Sequence, residues 1–221
     1  MRVILGILAG GRSSRFGSSK LQATVNGRPI LTWLTDRLSA VSPRQRWLNL
    51  APGQAMPPGP GAGAGAGAFD RIIYDPMRHA GPLAGIAAML AAVPADALLI
   101  VVPADMPLID PNYVRQMLTT LVGHPQHIVA MGRWTTGPRC GRVEPLPSVW
   151  RGRRALALVR QARQVNITGP QQLSHRAGVT CLPLAWPTQR NSFMNINRRE
   201  DLADLAHASG LNIQAPPQPA K

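Results

Sequence analysis

A glycine-rich, basic loop follows the first apolar run of the chain. That run, Val3 to Leu8, has the length of a strand, and the loop after it reads Ala-Gly-Gly-Arg-Ser-Ser-Arg-Phe-Gly-Ser-Ser-Lys from Ala9 to Lys20. Glycines let a backbone approach a ligand closely, consecutive N–H groups can surround an anion, and Arg15 and Lys20 add positive charge. The pattern favours a triphosphate ligand, but without Gly-Lys-Ser/Thr it is no Walker A loop. A glycine-rich turn with solvated cations is the alternative.

A single carboxylate follows another apolar run. Ala97 to Val102 is typical of a fully buried strand, and Pro103-Ala104-Asp105-Met106-Pro107 comes directly after it. Parallel sheets bind ligands outside the carboxyl ends of their strands, so we expect Asp105 in the same crevice as the glycine-rich loop. One carboxylate together with substrate phosphates can begin a Mg²⁺ site, which makes Asp105 the predicted metal ligand. An Asp that caps the following turn is the alternative.

A third candidate combines Asp75, which follows the apolar run Ile72 to Tyr74, with the sequence Gly81-Pro82-Leu83-Ala84-Gly85. A rigid loop at a helix N-terminus can accommodate a phosphate or a sugar hydroxyl, although a structural loop is the plainer interpretation of this segment alone. The Gly-Ala repeat before it imitates a dinucleotide fingerprint. Three prolines precede that repeat and a strand follows it, so we interpret residues 51–68 as a low-complexity surface insert.

The elements that must position these residues alternate between strands and helices. Strands are predicted at Val3–Leu8, Arg46–Leu50, Ile72–Tyr74, Ala97–Val102, Ile128–Met131, near Val143 and at Val179–Leu182, and helices at 29–43, 83–92, 110–121, 153–163 and 199–208. This alternation predicts an α/β fold with a doubly wound, mostly parallel sheet and helices on both faces. We expect one domain over residues 1–208 and a disordered tail over residues 209–221.

Charge and composition narrow the class of protein. The 24 Lys and Arg outnumber the 10 Asp and Glu, which gives a net charge of +14 and favours anionic partners. Eight arginines lie between Arg133 and Arg163, where a solvated basic face is the plainer interpretation and no nucleic-acid module is recognisable. No apolar stretch is long enough for a membrane span, and the first apolar run is too short for a secretory signal. With only two cysteines, we expect a cytoplasmic protein with reduced thiols.

Taken together and in this order, the motifs resemble those of the molybdenum cofactor guanylyltransferase family. The likeness covers about residues 3 to 205 and is weak across the insert and residues 132–180, where Glu144-Pro145-Leu146 is similar to the family's His-Pro-Leu segment. Ser19 stands where the family usually has Asp. The motifs that carry the likeness are Leu-Ala-Gly-Gly-x-Ser-x-Arg-Phe-Gly-x-x-Lys from Leu8, Asn26-Gly27-Arg28-Pro29-Ile30, Asp75 with Gly81-Pro82-Leu83-Ala84-Gly85-Ile86, Pro103-Ala104-Asp105-Met106-Pro107, and Phe193-Met194-Asn195-Ile196-Asn197 before Glu200-Asp201-Leu202.

The resemblance implies a nucleotide-diphospho-sugar-transferase-like fold and an Mg²⁺-dependent enzyme that transfers GMP from GTP to molybdopterin, releases pyrophosphate and makes the guanine dinucleotide cofactor. A molybdoenzyme or its chaperone would receive the product. Carried over by position, the catalytic residues are Arg15, Lys20 and Asp105. The nucleotide contacts are Leu8, Ala9, Gly10, Gly11, Lys20, Asn49, Asp75 and Asp105, of which Asn49 and Asp75 hold the guanosine part. Asp105 binds the metal, and Asn195 and Asn197 lie toward the pterin.

Two other functions remain open at this point. A related cytidylyltransferase or sugar nucleotidyltransferase would share the glycine-rich loop, although Gly81 to Gly85 favours the guanine member of the family. Alternatively, the chain is a non-catalytic module that kept the fold and binds the cofactor or an acidic partner through its arginines. Nucleotide titration separates the first alternative, and an assay of dinucleotide formation separates the second.

Overall fold

The computed structural model describes residues 2–10, 20–56, 69–76 and 81–215. Its strands are β1 (Val3–Leu8), β2 (Thr24–Val25), β3 (Arg28–Pro29), β4 (Gln45–Leu50), β5 (Arg71–Tyr74), β6 (Leu98–Pro103), β7 (Val129–Trp134), β8 (Val143–Arg151), β9 (Val179–Leu184) and β10 (Ile213–Gln214). Its α-helices are α1 (Ile30–Arg37), α2 (Pro82–Ala92), α3 (Pro111–Gly123), α4 (Gly152–Gln164) and α5 (Glu200–Ser209). Short 3₁₀ turns occupy Lys20–Gln22, Leu38–Val41, Pro170–Leu173 and Arg190–Phe193.

Seven strands form the main sheet in the order β5-β4-β1-β6-β8-β7-β9. Every neighbouring pair is parallel except those that include β8, which runs antiparallel to both β6 and β7. The predicted mostly parallel sheet is therefore confirmed. The sequence predicts only a short strand near Val143, whereas β8 has nine residues. Pro145 and Pro147 lie within β8 and weaken the sequence pattern of a strand, because proline removes a donor from the ladder.

Helices cover both faces of this sheet, as predicted. Alternate residues of β1 point to opposite faces, so Leu5 and Ile7 pack with α1, α3 and α5, while Ile4 packs with α2 and α4. Both layers are mainly apolar where they meet the sheet, with Thr35 as a buried polar residue of α1, and β6 is buried along five of its six residues. Burial on both faces explains why β1 and β6 read as continuous apolar runs in the sequence.

The parallel strands β1, β4, β5, β6, β7 and β9 all end at one edge of the sheet, which we call the carboxyl edge. The antiparallel β8 begins at this same edge, since Val143 is the register partner of Arg133 near the end of β7. Asp105, Asp75 and the start of the glycine-rich loop all follow strands that end here. The fold therefore collects the candidate residues on one side of the molecule.

The C-terminal segment is more ordered than its sequence predicts. Ile213–Gln214 forms β10, which pairs antiparallel with Thr24–Val25 in a small sheet of order β10-β2-β3. Leu211 and Ile213 pack against the core, and this alternating apolar pair is the signal that the prediction missed. In the structure, the first part of the predicted tail, residues 209–215, therefore includes the end of α5 and the strand β10. Residues 216–221 and 57–68 of the predicted tail and insert lie outside the described residues.

Helix α1 is shorter than predicted. It ends at Arg37 and passes into the 3₁₀ turn Leu38–Val41, after which Ser42 has a left-handed backbone with φ of 50°. The left-handed Ser42 ends the 3₁₀ turn one residue before Pro43. In the described ranges, no helix is both long and apolar enough to cross a bilayer.

Candidate functional site

Backbone hydrogen bonds tie together the ends of four strands at the carboxyl edge. The N–H of Ala9 donates to the carbonyl of Asn49 (2.8 Å), and the N–H of Ala104 donates to the carbonyl of Leu8 (2.9 Å). The N–H of Asp75 donates to the carbonyl of Leu50 (2.9 Å). The segments that follow β1, β4, β5 and β6 are therefore neighbours, which brings Leu8, Ala9 and Gly10 to the same edge as Asp75 and Asp105.

Asn49 and Asp75 form a hydrogen-bonded pair at this edge. The amide nitrogen of Asn49 donates to Oδ1 of Asp75 (2.7 Å) and to the carbonyl of Ile73 (3.2 Å). Asn49 is 1% exposed, so its orientation is set by these two bonds. Burial raises the pKa of Asp75 above its ordinary value, and the hydrogen bond from Asn49 opposes that rise. The pair presents a partly desolvated carboxylate that can accept hydrogen bonds from a ligand.

Two glycines allow the backbone to approach this pair. A Cβ on Gly85, in the first turns of α2, would lie 2.4 Å from Oδ1 of Asn49 and 3.0 Å from Oδ1 of Asp75. A Cβ on Gly10 would lie 3.0 Å from the nitrogen of Ala51 and 3.3 Å from Oδ2 of Asp75. Larger residues at either position would therefore displace the carboxylate or the loop. The N-terminus of α2 and the start of the glycine-rich loop thus face the same two polar side chains.

Asp105 is connected to the late Asn-Ile-Asn segment. The N–H of Ile196 donates to the carbonyl of Asp105 (2.8 Å), and Ile196 is completely buried. Ile196 anchors the segment, and its two neighbours, Asn195 and Asn197, are exposed. The N–H of Asn197 also donates to Oδ2 of Asp201 (2.6 Å) at the start of α5. Segments about 90 positions apart in the chain therefore meet at the backbone of the predicted metal ligand.

A cavity of about 360 Å³ opens beside the Asn-Ile-Asn segment. Oε1 of Glu144 accepts from Nε1 of Trp134 (2.8 Å) and from Arg139 (3.0 Å), which joins the start of β8 to the loop after β7. The cavity combines two arginines, three carboxylates, two asparagines and three apolar residues. Its lining residues are Arg139, Glu144, Trp186, Arg190, Phe193, Met194, Asn195, Asn197, Asp201 and Asp204.

Sequence reasoning named Asn195 and Asn197 but missed the rest of this cavity as a site. In the sequence, Arg139 is one of several arginines of a basic stretch, and Trp186 and Arg190 belong to no motif. Their proximity arises because β9 and the following 3₁₀ turn pass beside β7, a long-range pairing that no local spacing reveals.

The basic stretch between Arg133 and Arg163 is divided by the sheet. Arg139 lines the cavity at the carboxyl edge, whereas Arg151 and Arg154 lie at the opposite edge. There Arg151 donates to the carbonyl of His127 (3.0 Å) and Arg154 to that of Pro125 (2.5 Å). Arg153, Arg160 and Arg163 are exposed on α4. The predicted solvated basic face thus describes most of the stretch.

Part of the predicted site is not among the described residues. Gly11, Arg15 and Ser19 lie outside the described residues. Lys20 begins the first 3₁₀ turn, and its side chain lies outside the described part as well. The structure therefore brings together Leu8, Ala9, Gly10, Asn49, Asp75, Asp105, Asn195 and Asn197.

Known proteins resemble this chain in sequence and in structure. The family model of the MobA-like NTP transferase domain matches residues 5–178. A probable molybdenum cofactor guanylyltransferase of Pyrococcus horikoshii is 27% identical over 215 residues, covering 91% of this chain and 98% of that protein. The molybdenum cofactor guanylyltransferase of Cereibacter sphaeroides is 30% identical over 215 residues, covering 92% of this chain and 95% of that protein.

A solved structure shows the same fold. The molybdopterin-guanine dinucleotide biosynthesis protein A of Archaeoglobus fulgidus matches with a TM-score of 0.67 at 20% identity, covering 94% of this chain and 98% of that one. The predicted nucleotide-diphospho-sugar-transferase-like fold is thereby confirmed. Because the family match extends over most of the chain and includes Leu8, Asn49, Asp75 and Asp105, this chain belongs to the MobA-like NTP transferase family.

Proposed function

We propose that this protein transfers GMP from GTP to the terminal phosphate of molybdopterin, releases pyrophosphate and yields the guanine dinucleotide form of the cofactor. One observation carries the proposal. The carboxyl edge aligns Leu8 to Gly10, the Asn49–Asp75 pair and Asp105, and the Asn-Ile-Asn segment is bonded to Asp105. Relatives named molybdenum cofactor guanylyltransferases, 27% and 30% identical over more than nine-tenths of the chain, support the proposal as well.

The Asn49–Asp75 pair suits the guanosine part of GTP. A nucleoside presents N–H and O–H donors, and a carboxylate is an acceptor with room for two such bonds. Asn49 holds Oδ1 of Asp75 in place, which leaves Oδ2 directed toward Gly10. Since both partners are partly desolvated, each bond to the ligand is stronger than it would be in water. We assign this pair to nucleotide orientation.

The reaction needs no nucleophile from the protein. An anionic oxygen of the molybdopterin phosphate attacks the α-phosphorus of GTP in line, a P–O bond forms, and the bond from that phosphorus to the bridging oxygen of the β-phosphate breaks. The electron pair leaves with pyrophosphate. Catalysis then rests on positioning and on neutralising charge, and Arg15 and Lys20 are the cations that we assign to the phosphates.

The donor set at Asp105 fits Mg²⁺. Among the described residues, no group of three or more His, Cys, Asp and Glu side chains could hold a metal ion. A single carboxylate is consistent with Mg²⁺, which commonly takes one or two protein carboxylates and completes its coordination with substrate phosphates and water. Asp105 would hold the ion, which would supply charge neutralisation at the transferring phosphate.

The expected setting is the cytoplasm, with a molybdoenzyme or its chaperone as the recipient of the product. The chain has only two cysteines, too few for a disulfide scaffold, and this composition supports the expectation of a reducing compartment.

The test is formation of the dinucleotide from GTP, Mg²⁺ and molybdopterin, followed by chromatography of the product and by pyrophosphate release. We expect Asp105→Ala to lower turnover by roughly 10²-fold or more, because it removes the metal ligand. Asp96→Ala is the matched control, since Asp96 is an exposed acid just before the amino end of the same strand, β6.

The outcomes separate the alternatives. Equal turnover by Asp105→Ala and the unmodified chain would contradict the role of Asp105. A lower Kd for CTP than for GTP, measured by calorimetric titration with Mg²⁺, would favour a cytidylyltransferase. GTP binding without any product would favour the non-catalytic binding module.

A further inference from the structure

The cavity beside the Asn-Ile-Asn segment contains an arginine stacked on a tryptophan, and the proposed binding of GTP assigns no role to this pair. We propose that Arg190, stacked on Trp186, binds an anionic group of the acceptor. Arg190 then contributes to the affinity for the acceptor and not to the affinity for the nucleotide. This inference rests on the proposed function and extends it, because it assigns residues that select the acceptor rather than GTP.

The stacked pair has a rigid base. The guanidinium carbon of Arg190 lies 5.2 Å from the ring centre of Trp186. The Trp186 ring meets Trp134 edge-on with centroids 5.7 Å apart, and Trp134 meets Phe193 in the same manner at 5.4 Å. Trp134 and Phe193 are 1% and 4% exposed. A cation–π contact with a ring supported in this way restricts an otherwise exposed arginine, so less entropy is lost when a ligand binds.

The two arginines of the cavity differ in whether a carboxylate of the protein already pairs with them. Arg139 is paired with Glu144 at 3.0 Å, and Glu144 is held further by Trp134. Within the described ranges, Arg190 forms no ion pair, and its guanidinium lies over the Trp186 ring. The guanidinium therefore retains its donors for a ligand. A planar fork of donors is well suited to an anion with two neighbouring acceptor atoms.

The position of the cavity relative to Asp105 specifies the ligand. Asn195 lines the cavity and adjoins Ile196, whose N–H is bonded to the carbonyl of Asp105. The cavity is thus next to the segment that is bonded to Asp105, and we assign to it the part of the acceptor beyond the phosphate. Beyond the phosphate, molybdopterin has two further features: an anionic pair of sulfur atoms and a pterin with N–H donors. The first matches Arg190, and the second matches the carboxylates of Asp201 and Asp204.

The experiment compares acceptor and nucleotide affinities in four variants. Molybdopterin is titrated into the full chain by calorimetry without nucleotide, GTP with Mg²⁺ is titrated separately, and steady-state KM and kcat are measured for both substrates. Arg190→Ala should raise the Kd and KM for molybdopterin about 10- to 100-fold, the size expected for a lost hydrogen bond between charged groups. The Kd for GTP should change by less than about twofold.

Two further variants and a control sharpen the result. Arg190→Lys keeps the charge but not the planar fork and should recover part of the acceptor affinity. Trp186→Leu removes the platform and should weaken the acceptor less than Arg190→Ala does. Arg44→Ala makes the same change in net charge at the opposite edge, where the Arg44 N–H is bonded to the carbonyl of Val3. This control should leave the Kd values for molybdopterin and for GTP unchanged.

The failure of this inference is distinct from that of the proposed function. If the unmodified chain makes the dinucleotide but Arg190→Ala binds molybdopterin normally, or loses GTP affinity equally, the assignment of Arg190 is wrong and the proposed function stands. If the unmodified chain neither binds molybdopterin nor makes the dinucleotide, the proposed function is wrong and this inference is overturned with it.

Discussion

Replacing Gly85 with alanine tests whether the Asn49–Asp75 pair depends on the close approach of α2. The added Cβ would lie 2.4 Å from Oδ1 of Asn49, 3.0 Å from Oδ1 of Asp75 and 2.9 Å from Cδ2 of Leu8. Asn49 cannot turn away without cost, because it is buried and donates to both Ile73 and Asp75. Either the pair separates or the helix moves outward.

The expected destabilisation follows from these contacts. Overpacking a tight site costs about 1–3 kcal/mol. Loss of the Asn49 hydrogen bond at a buried position adds about 1–3 kcal/mol. Alanine is a better helix former than glycine by up to about 1 kcal/mol, which opposes both effects. The net result is a free energy of unfolding that is lower by about 1–5 kcal/mol, and a fall in Tm of about 2–4 °C for each kcal/mol.

Thermal unfolding and GTP titration provide the assay, and Gly123→Ala provides the control. Gly123 ends helix α3, and a Cβ there would meet nothing within 4 Å, so Gly123→Ala should leave Tm unchanged or raise it. We expect Gly85→Ala to weaken GTP binding together with stability. If Gly85→Ala instead raises Tm as Gly123→Ala does, and binds GTP normally, the reasoning about close approach is refuted.

Two other predictions concern charges of residues that we assign to the nucleotide. Because burial raises the pKa of Asp75, ionisation of this carboxyl destabilises the fold at pH values above that pKa. Asp75→Asn should therefore raise Tm at neutral pH and give no gain in Tm below about pH 4, as measured by thermal unfolding across pH. The same substitution should weaken GTP binding about 10- to 100-fold, as measured by titration. A lower Tm at neutral pH would contradict this. Lys20→Ala should reduce kcat by roughly two orders of magnitude through loss of a phosphate cation, and a fall of less than about threefold would dismiss Lys20 as a catalytic residue.

Much of the fold can be predicted from the sequence because its strands are buried on both faces. β1 and β6 give continuous apolar runs that stop at Gly10 and at Pro103, and these stops predict the neighbouring strand ends that Gly10 and Asp105 follow. Helix α3 is equally clear, because Asp110 caps it through the N–H of Asn112 and Pro111 occupies its first turn.

The pairing of distant segments could not be predicted in the same way. The direction of β8 depends on its pairing with β6 and β7, and its prolines suppress the local strand signal. The bond between Ile196 and Asp105 and the stacking of Arg190 on Trp186 are tertiary contacts, which no spacing within either segment encodes. Sequence motifs thus predict the part of the site that we assign to the nucleotide more fully than the part that we assign to the acceptor.

The pairing of β10 with β2 joins a late segment of the chain to an early one by hydrogen bonds. Asn212 accepts from the N–H of Asn26 and donates its own N–H to Oδ1 of Asn26, and the hairpin that contains Asn26 follows the 3₁₀ turn at Lys20. Deleting residues 211–215, or pulling on them, would therefore loosen the strand that leads back to the glycine-rich loop. Affinity tags and fusion partners on this protein are best separated from Ala215 by a flexible spacer, so that β10 stays paired with β2.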